Sequence, residues 1–149
     1  MGREPVVVGV DGTPASERAL RWALDEAFVR DCPLHVVHAW TFEALTGWSE
    51  TTEQRVRSAS ETLIEKAIRN ASRQRTELPE IVRRSLRGHA ADVLERASEG
   101  AAMVVVASRT DHRIRQIVLG STSMHVVRHA HAPIVVIPMN DRSLAETTR

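Results

Sequence analysis

The sequence has no tyrosine, one cysteine and one lysine, and its aromatic residues total 3%. A lone cysteine, Cys32, cannot close an internal disulfide, so nothing here asks for an oxidising compartment. No apolar stretch approaches the roughly 20 residues of a membrane-spanning helix. Met1-Gly2-Arg3-Glu4-Pro5 carries no hydrophobic region behind it, so no signal peptide is expected. Valine at position 6 argues against N-myristoylation. Charge of one sign is missing too: 20 Lys and Arg against 19 Asp and Glu leave a net charge of +1. A general nucleic-acid binder shows a stronger basic excess or a basic tail. The expectation is a cytoplasmic chain with neither a nucleic-acid nor a membrane partner.

What is present fits a folded domain. Its 149 residues, 42% hydrophobic and 26% charged, suit one globular unit with a sizeable core. Val6-Val7-Val8-Gly9-Val10 is a continuous apolar run, as expected of a parallel strand covered on both faces. After it, Thr13 is placed to cap a helix and Pro14 to open it. Leu20, Ala23, Leu24, Ala27 and Phe28 follow at helical spacing. Leu34 to Trp40 reads as a second strand. A loop holding Thr46, Gly47 and Trp48 leads to a long amphipathic helix marked by Val56, Ala59, Leu63, Ala67 and Ala71. Pro79 ends that helix, and Ile81 to Leu86 forms a more polar strand suited to a sheet edge. A short helix over Ala90, Val93, Leu94 and Ala97 ends at Gly100, and Met103 to Ala107 is a further buried strand. A polar loop is expected from Ser108 to about Gln116, then a helix from Ser121 to His129. The fifth strand lies between Pro133 and Pro138, where an edge tolerates proline. Residues 1–138 are read as one domain and 139–149 as a polar tail.

Five strands alternating with four main helices predict an α/β, Rossmann-like, doubly wound parallel sheet. Such sheets bind ligands beyond the carboxyl ends of their strands, where the winding reverses. Two segments occupy that position: Gly9-Val10-Asp11-Gly12, and Ala107-Ser108-Arg109-Thr110 continuing to Gly120-Ser121-Thr122-Ser123. At the second, a helix N-terminus offers unpaired N–H groups and a positive dipole end. Gly120 lets a phosphate approach closely, and the hydroxyls of Ser121, Thr122 and Ser123 are potential donors. Arg109, Arg113 and Arg115 add positive charge. The plainer reading leaves Ser121 or Thr122 as a helix cap, the arginines as solvated surface and Asp11 as a turn residue.

Other site chemistries fit less well. A response-regulator receiver needs an aspartate after strand three and a lysine after strand five. The only lysine, Lys66, lies in the long helix. A flavin site lacks aromatic cover beyond Trp40 and Trp48. His125, His129 and His131 invite a metal, but no cysteine or carboxylate pair is seen to join them, so they are read as surface histidines near a helix C-terminus and no metal is expected. No Gly-x-Ser-x-Gly elbow appears, and no catalytic residue is assigned: the chain is not expected to be an enzyme.

Several separated motifs, in order, resemble the universal stress protein family over nearly the whole chain, from Val6 to Pro138. They are Val-Gly-Val-Asp-Gly-Thr with Ala15-Ser16, Val37-His38-Ala39, Gly88-His89-Ala90, Leu119-Gly120-Ser121-Thr122-Ser123, and the stretch from His129 to Ile137. The resemblance implies a strand order of 3-2-1-4-5 and homodimers paired through the last strand, here Ile134 to Ile137. Its nucleotide-binding branch carries Gly-x2-Gly-x9-Gly-[Ser/Thr] after strand four. Carried over, the implied ligand is an adenine nucleotide, ATP foremost, with or without Mg2+. Its site comprises Gly9, Val10 and Asp11 after strand one, Ala39 on strand two, and Val106, Ala107, Arg109 and Thr110 at and after strand four, with Gly120, Ser121, Thr122 and Ser123 on the phosphates. The gaps of two and nine residues are intact, yet Ala107 and Thr110 replace the first two glycines. A positive φ at either would cost roughly 1 kcal/mol or more. The alternative is a nucleotide-free member serving as a protein-interaction module with unknown partners.

Overall fold

Val6, Val7 and Val8 are fully buried and face alternately, so their strand needs cover on both sides. In the computed structural model, which describes residues 2–42, 50–111 and 116–138, Val6 and Val8 pack with the first two helices while Val7 packs with the last two. The elements run β1 (Val6–Gly9), α1 (Pro14–Arg30), β2 (Leu34–Trp40), α2 (Glu50–Ser72), β3 (Ile81–Arg87), α3 (Ala90–Ala97), β4 (Met103–Ala107), β5 (Arg109–Asp111), β6 (Gln116–Val118), α4 (Ser121–His129) and β7 (Ile134–Ile137). The main sheet has five strands in the order β3-β2-β1-β4-β7, all parallel. Counting its principal strands alone, this is the order 3-2-1-4-5.

Leu20, Ala23 and Leu24 of α1 and Ile64, Ala67 and Ile68 of α2 bury one face of the sheet. Val93, Leu94 and Ala97 of α3 and Val126 of α4 bury the other. The entry to α1 follows the capping rules: Thr13 Oγ1 accepts from the Ser16 N–H (3.3 Å), and proline opens the helix. Both edge strands are only half covered. On β3 Arg83 is exposed and Arg84 half-exposed, whereas β7 is apolar throughout.

One segment departs from the sequence expectation. The stretch read as a polar loop after β4 contains β5 and β6, paired antiparallel with Arg109 opposite Val118 and Asp111 opposite Gln116. Two three-residue strands of mixed polarity carry no alternation to detect, and their ladder is made by backbone groups alone. The expected loop around Thr46, Gly47 and Trp48, the cations Arg113 and Arg115, and the tail 139–149 lie outside the described residues. Among the described residues, no helix is long and apolar enough to cross a membrane.

Candidate functional site

Strands β1 and β4 are neighbours whose chains leave toward opposite faces of the sheet, which opens a crevice beyond their carboxyl ends. The crevice holds about 140 Å3. Gly9, Val10 and Asp11, Ala39, Val106 and Ala107, and Thr122 and Ser123 all line it. Four further residues join them that were not expected in the site: Ser16, Val37 and Ala90, which lie in the family motifs, and Leu94, which does not. Arg109 and Thr110 lie in β5, just beyond the end of β4, and Gly120 and Ser121 sit at the entry to α4.

The β1 side is held by its own turn. Gly9 allows Leu94 to close over the strand, since a Cβ there would sit 3.1 Å from Leu94 Cδ1. Val10 N–H still donates to the Val37 carbonyl (2.9 Å), although β1 has ended. Asp11 Oδ1 accepts from both the N–H (2.9 Å) and the hydroxyl (2.5 Å) of Thr13. The Asp11 N–H donates to Ser16 Oγ (3.2 Å), and the Ser16 hydroxyl donates to the Thr13 carbonyl (3.1 Å). Asp11 therefore serves the turn and lines the crevice at once. Gly12, at φ +83°, makes that turn possible.

The α4 side presents a helix N-terminus. Gly120 is its N-cap at φ −64°, ψ 169°, with no side-chain cap and no acidic residue in the first turn. This extended backbone suits any residue, and an added Cβ at 120 would meet no described atom within 4 Å. Neither backbone nor packing among the described residues asks for glycine here. Of the three hydroxyls expected to face a ligand, one is committed elsewhere: buried Ser123 donates to the Ala107 carbonyl (3.2 Å) and ties α4 to the end of β4. Thr122 lines the crevice, half-buried, and Ser121 is exposed. Ala107 and Thr110 carry no left-handed strain, because Asp31 is the one non-glycine residue with positive φ among those described.

Beneath α2, His38 Nδ1 and Ser60 Oγ share a hydrogen bond of 2.7 Å, and Ser60 reaches Ser85 Oγ at 2.6 Å. Burial holds His38 below the ordinary histidine value, and the nearby Asp11 charge opposes this in part. Trp40 is buried and is not part of the crevice lining, so it offers no aromatic cover there. The histidines of α4 differ from expectation: two carboxylates do converge with them, since Asp92 and Glu95 of α3 gather beside His125. The signal lay in their i, i+3 spacing, but the α3–α4 register that joins them to His125 is not written in either helix.

Fold and site together define a class: a doubly wound α/β protein whose switch-point crevice is walled by a helix N-terminus. Residues 2–138 match the sequence model of the universal stress protein family. The chain is 32% identical to a universal stress protein of Mycobacterium tuberculosis strain H37Rv, over 92% of this chain and 49% of that one. It thus spans about half the length of the curated relatives it matches. Among solved structures, the Archaeoglobus fulgidus universal stress protein in complex with dAMP superposes with a TM-score of 0.57 at 24% identity, covering 92% of this chain and 99% of that one. A universal stress protein in complex with cAMP gives 0.69 at 20% identity, covering 92% and 98%. The chain belongs to the universal stress protein family.

Proposed function

We propose that the crevice binds an adenine nucleotide, ATP foremost, with its phosphates at the entry to α4 and its nucleoside toward Asp11 and Ala39. The observation that carries this reading is Gly120. Its φ and its empty surroundings leave glycine without a role in the described fold, while a phosphate approaching uncapped N–H groups gives it one. The crevice's position at the β1–β4 switch point and the nucleotides held by the dAMP- and cAMP-bound relatives support the same ligand class. Ala107 and Thr110 take the place of motif glycines without backbone strain. Among the described lining residues none stands poised as a base, and Asp11 Oδ1 is engaged in its turn, so we read a binding protein rather than a catalyst.

The test is a thermal shift with Mg2+-ATP on protein stripped of nucleotide. Ligand at about 100 times its dissociation constant stabilises by roughly 2.7 kcal/mol, a rise of about 5–10 °C at this size. No shift at millimolar nucleotide refutes nucleotide binding and favours the nucleotide-free interaction module, for which the committed Ser123 hydroxyl speaks.

We further propose a homodimer through β7, in a cytoplasmic protein. Among the described residues no strand pairs with the outer edge of β7. The Pro133 and Ile137 carbonyls accept from Val104 and Ser108, so by alternation the backbone groups of Ile134 and Val136 face that open edge. An apolar edge with unpaired groups is a template for a second strand.

A further inference from the structure

We propose that Asp92, Glu95 and His125 form a site for a divalent transition-metal cation of the zinc class, bridging α3 to α4. Asp92 and Glu95 stand three residues apart on α3, on one face of the helix. His125 reaches them from α4, and one ligand atom from each of the three lies within 4.8 Å of the others. Zinc holds imidazole nitrogen and carboxylate oxygen at about 2.0–2.2 Å in tetrahedral array, so two ligands of one cation sit roughly 3.3–3.6 Å apart. Small side-chain rotations bring the group into that range, and His125 Nε2 is already 2.9 Å from Glu95 Oε2. The donor set, one imidazole and two carboxylates, leaves a position for water. Imidazole favours Zn2+, Co2+ or Ni2+ over Mg2+ and Ca2+, which prefer oxygen alone.

The surroundings suit a cation. The His129 ring packs against His125 with centroids 4.5 Å apart and planes tilted by 42°, which restrains the imidazole. Glu99, in the turn that follows α3, lies 4.0 Å from His131 and adds negative charge nearby.

The cluster lies outside the crevice, yet its two helices wall it: α3 contributes Ala90 and Leu94, α4 contributes Thr122 and Ser123. A bound cation would therefore fix the separation of the two helices that frame the ligand. This site does not depend on the nucleotide reading and is tested without nucleotide.

The experiment titrates Zn2+ alone into EDTA-stripped protein by calorimetry, with Co2+ as a spectroscopic substitute. One equivalent per chain is expected, with no response to Mg2+. His125→Ala and Glu95→Gln should each weaken Zn2+ binding by at least about tenfold, the lower end of what even an outer-shell partner contributes. His131→Ala should leave it within twofold. All four residues are partly or fully exposed, and circular dichroism verifies folding, with Asp92→Asn as an independent second ligand variant. Binding unchanged in His125→Ala and Glu95→Gln, or lost equally in His131→Ala, overturns the site.

Discussion

Gly120→Asp is expected to move stability and ligand binding in opposite directions. The residue is the N-cap of α4, in extended conformation, with open space where a side chain would go. Aspartate caps better than glycine by a few tenths of a kcal/mol. Its carboxylate at the positive end of the helix adds about 0.3–1 kcal/mol more. The sum, about 0.5–1.3 kcal/mol, corresponds to a rise in Tm of roughly 1–5 °C. Against a phosphate at ~4 Å the same carboxylate repels by about 1 kcal/mol in water and ~4 kcal/mol at an effective dielectric of 20. Affinity should then fall between about fivefold and nearly a thousandfold. Thermal melts of the free variant and calorimetry with Mg2+-ATP read the two effects separately. A variant that binds nucleotide as the parent does would sink the phosphate placement. A loss of more than about 1 kcal/mol in the free protein would show that position 120 is packed after all.

Three further expectations follow from other parts of the molecule. Gly12→Ala forces an L residue to φ +83° with its Cβ 3.3 Å from Leu63 Cδ1. It should cost about 1–2 kcal/mol in urea unfolding, and an unchanged midpoint would contradict the need for a left-handed turn there. Val136→Pro removes an N–H that points away from β4, so the fold should persist while light scattering reports a monomer; a dimer that survives it is not paired through β7. Burial holds His35 and His38 below the ordinary value of 6.5. Both take up protons more readily in the unfolded chain, so stability is complete above that value and falls as pH drops through it toward the folded values. The urea midpoint should decline between about pH 7.5 and 5.5, and the His35→Gln/His38→Gln double variant should flatten the decline; an identical slope would exclude these histidines as its source.

Much of the fold was legible because its signals are local. The valine runs of β1 and β4, the Thr13-Pro14 helix entry and the prolines around β7 each state their element within a few residues. The crevice followed from topology: once β1 and β4 were adjacent, the residues at their ends had one place to meet. What escaped is what depends on pairing across space. The β5–β6 ribbon is held by backbone groups between short segments of mixed polarity. Ala90 and Leu94 read as the buried stripe of a helix, and only the docking of α3 over Gly9 brings them to the crevice. Ser123 looked like a phosphate donor until the Ala107 carbonyl came within 3.2 Å of it. Asp92 and Glu95 acquired chemical company only from the neighbouring helix.

The β5–β6 ribbon also bears on how such a protein can diversify. Its ladder joins Arg109 to Val118, so the chain leaves β4 and returns toward Gly120 at a separation set by backbone pairing. That pairing holds the two ends together whatever length of chain joins Asp111 to Gln116. That arrangement separates inheritance of the scaffold from variation at its rim. Insertion libraries between Asp111 and Gln116 are the natural place to seek added chain without loss of folding.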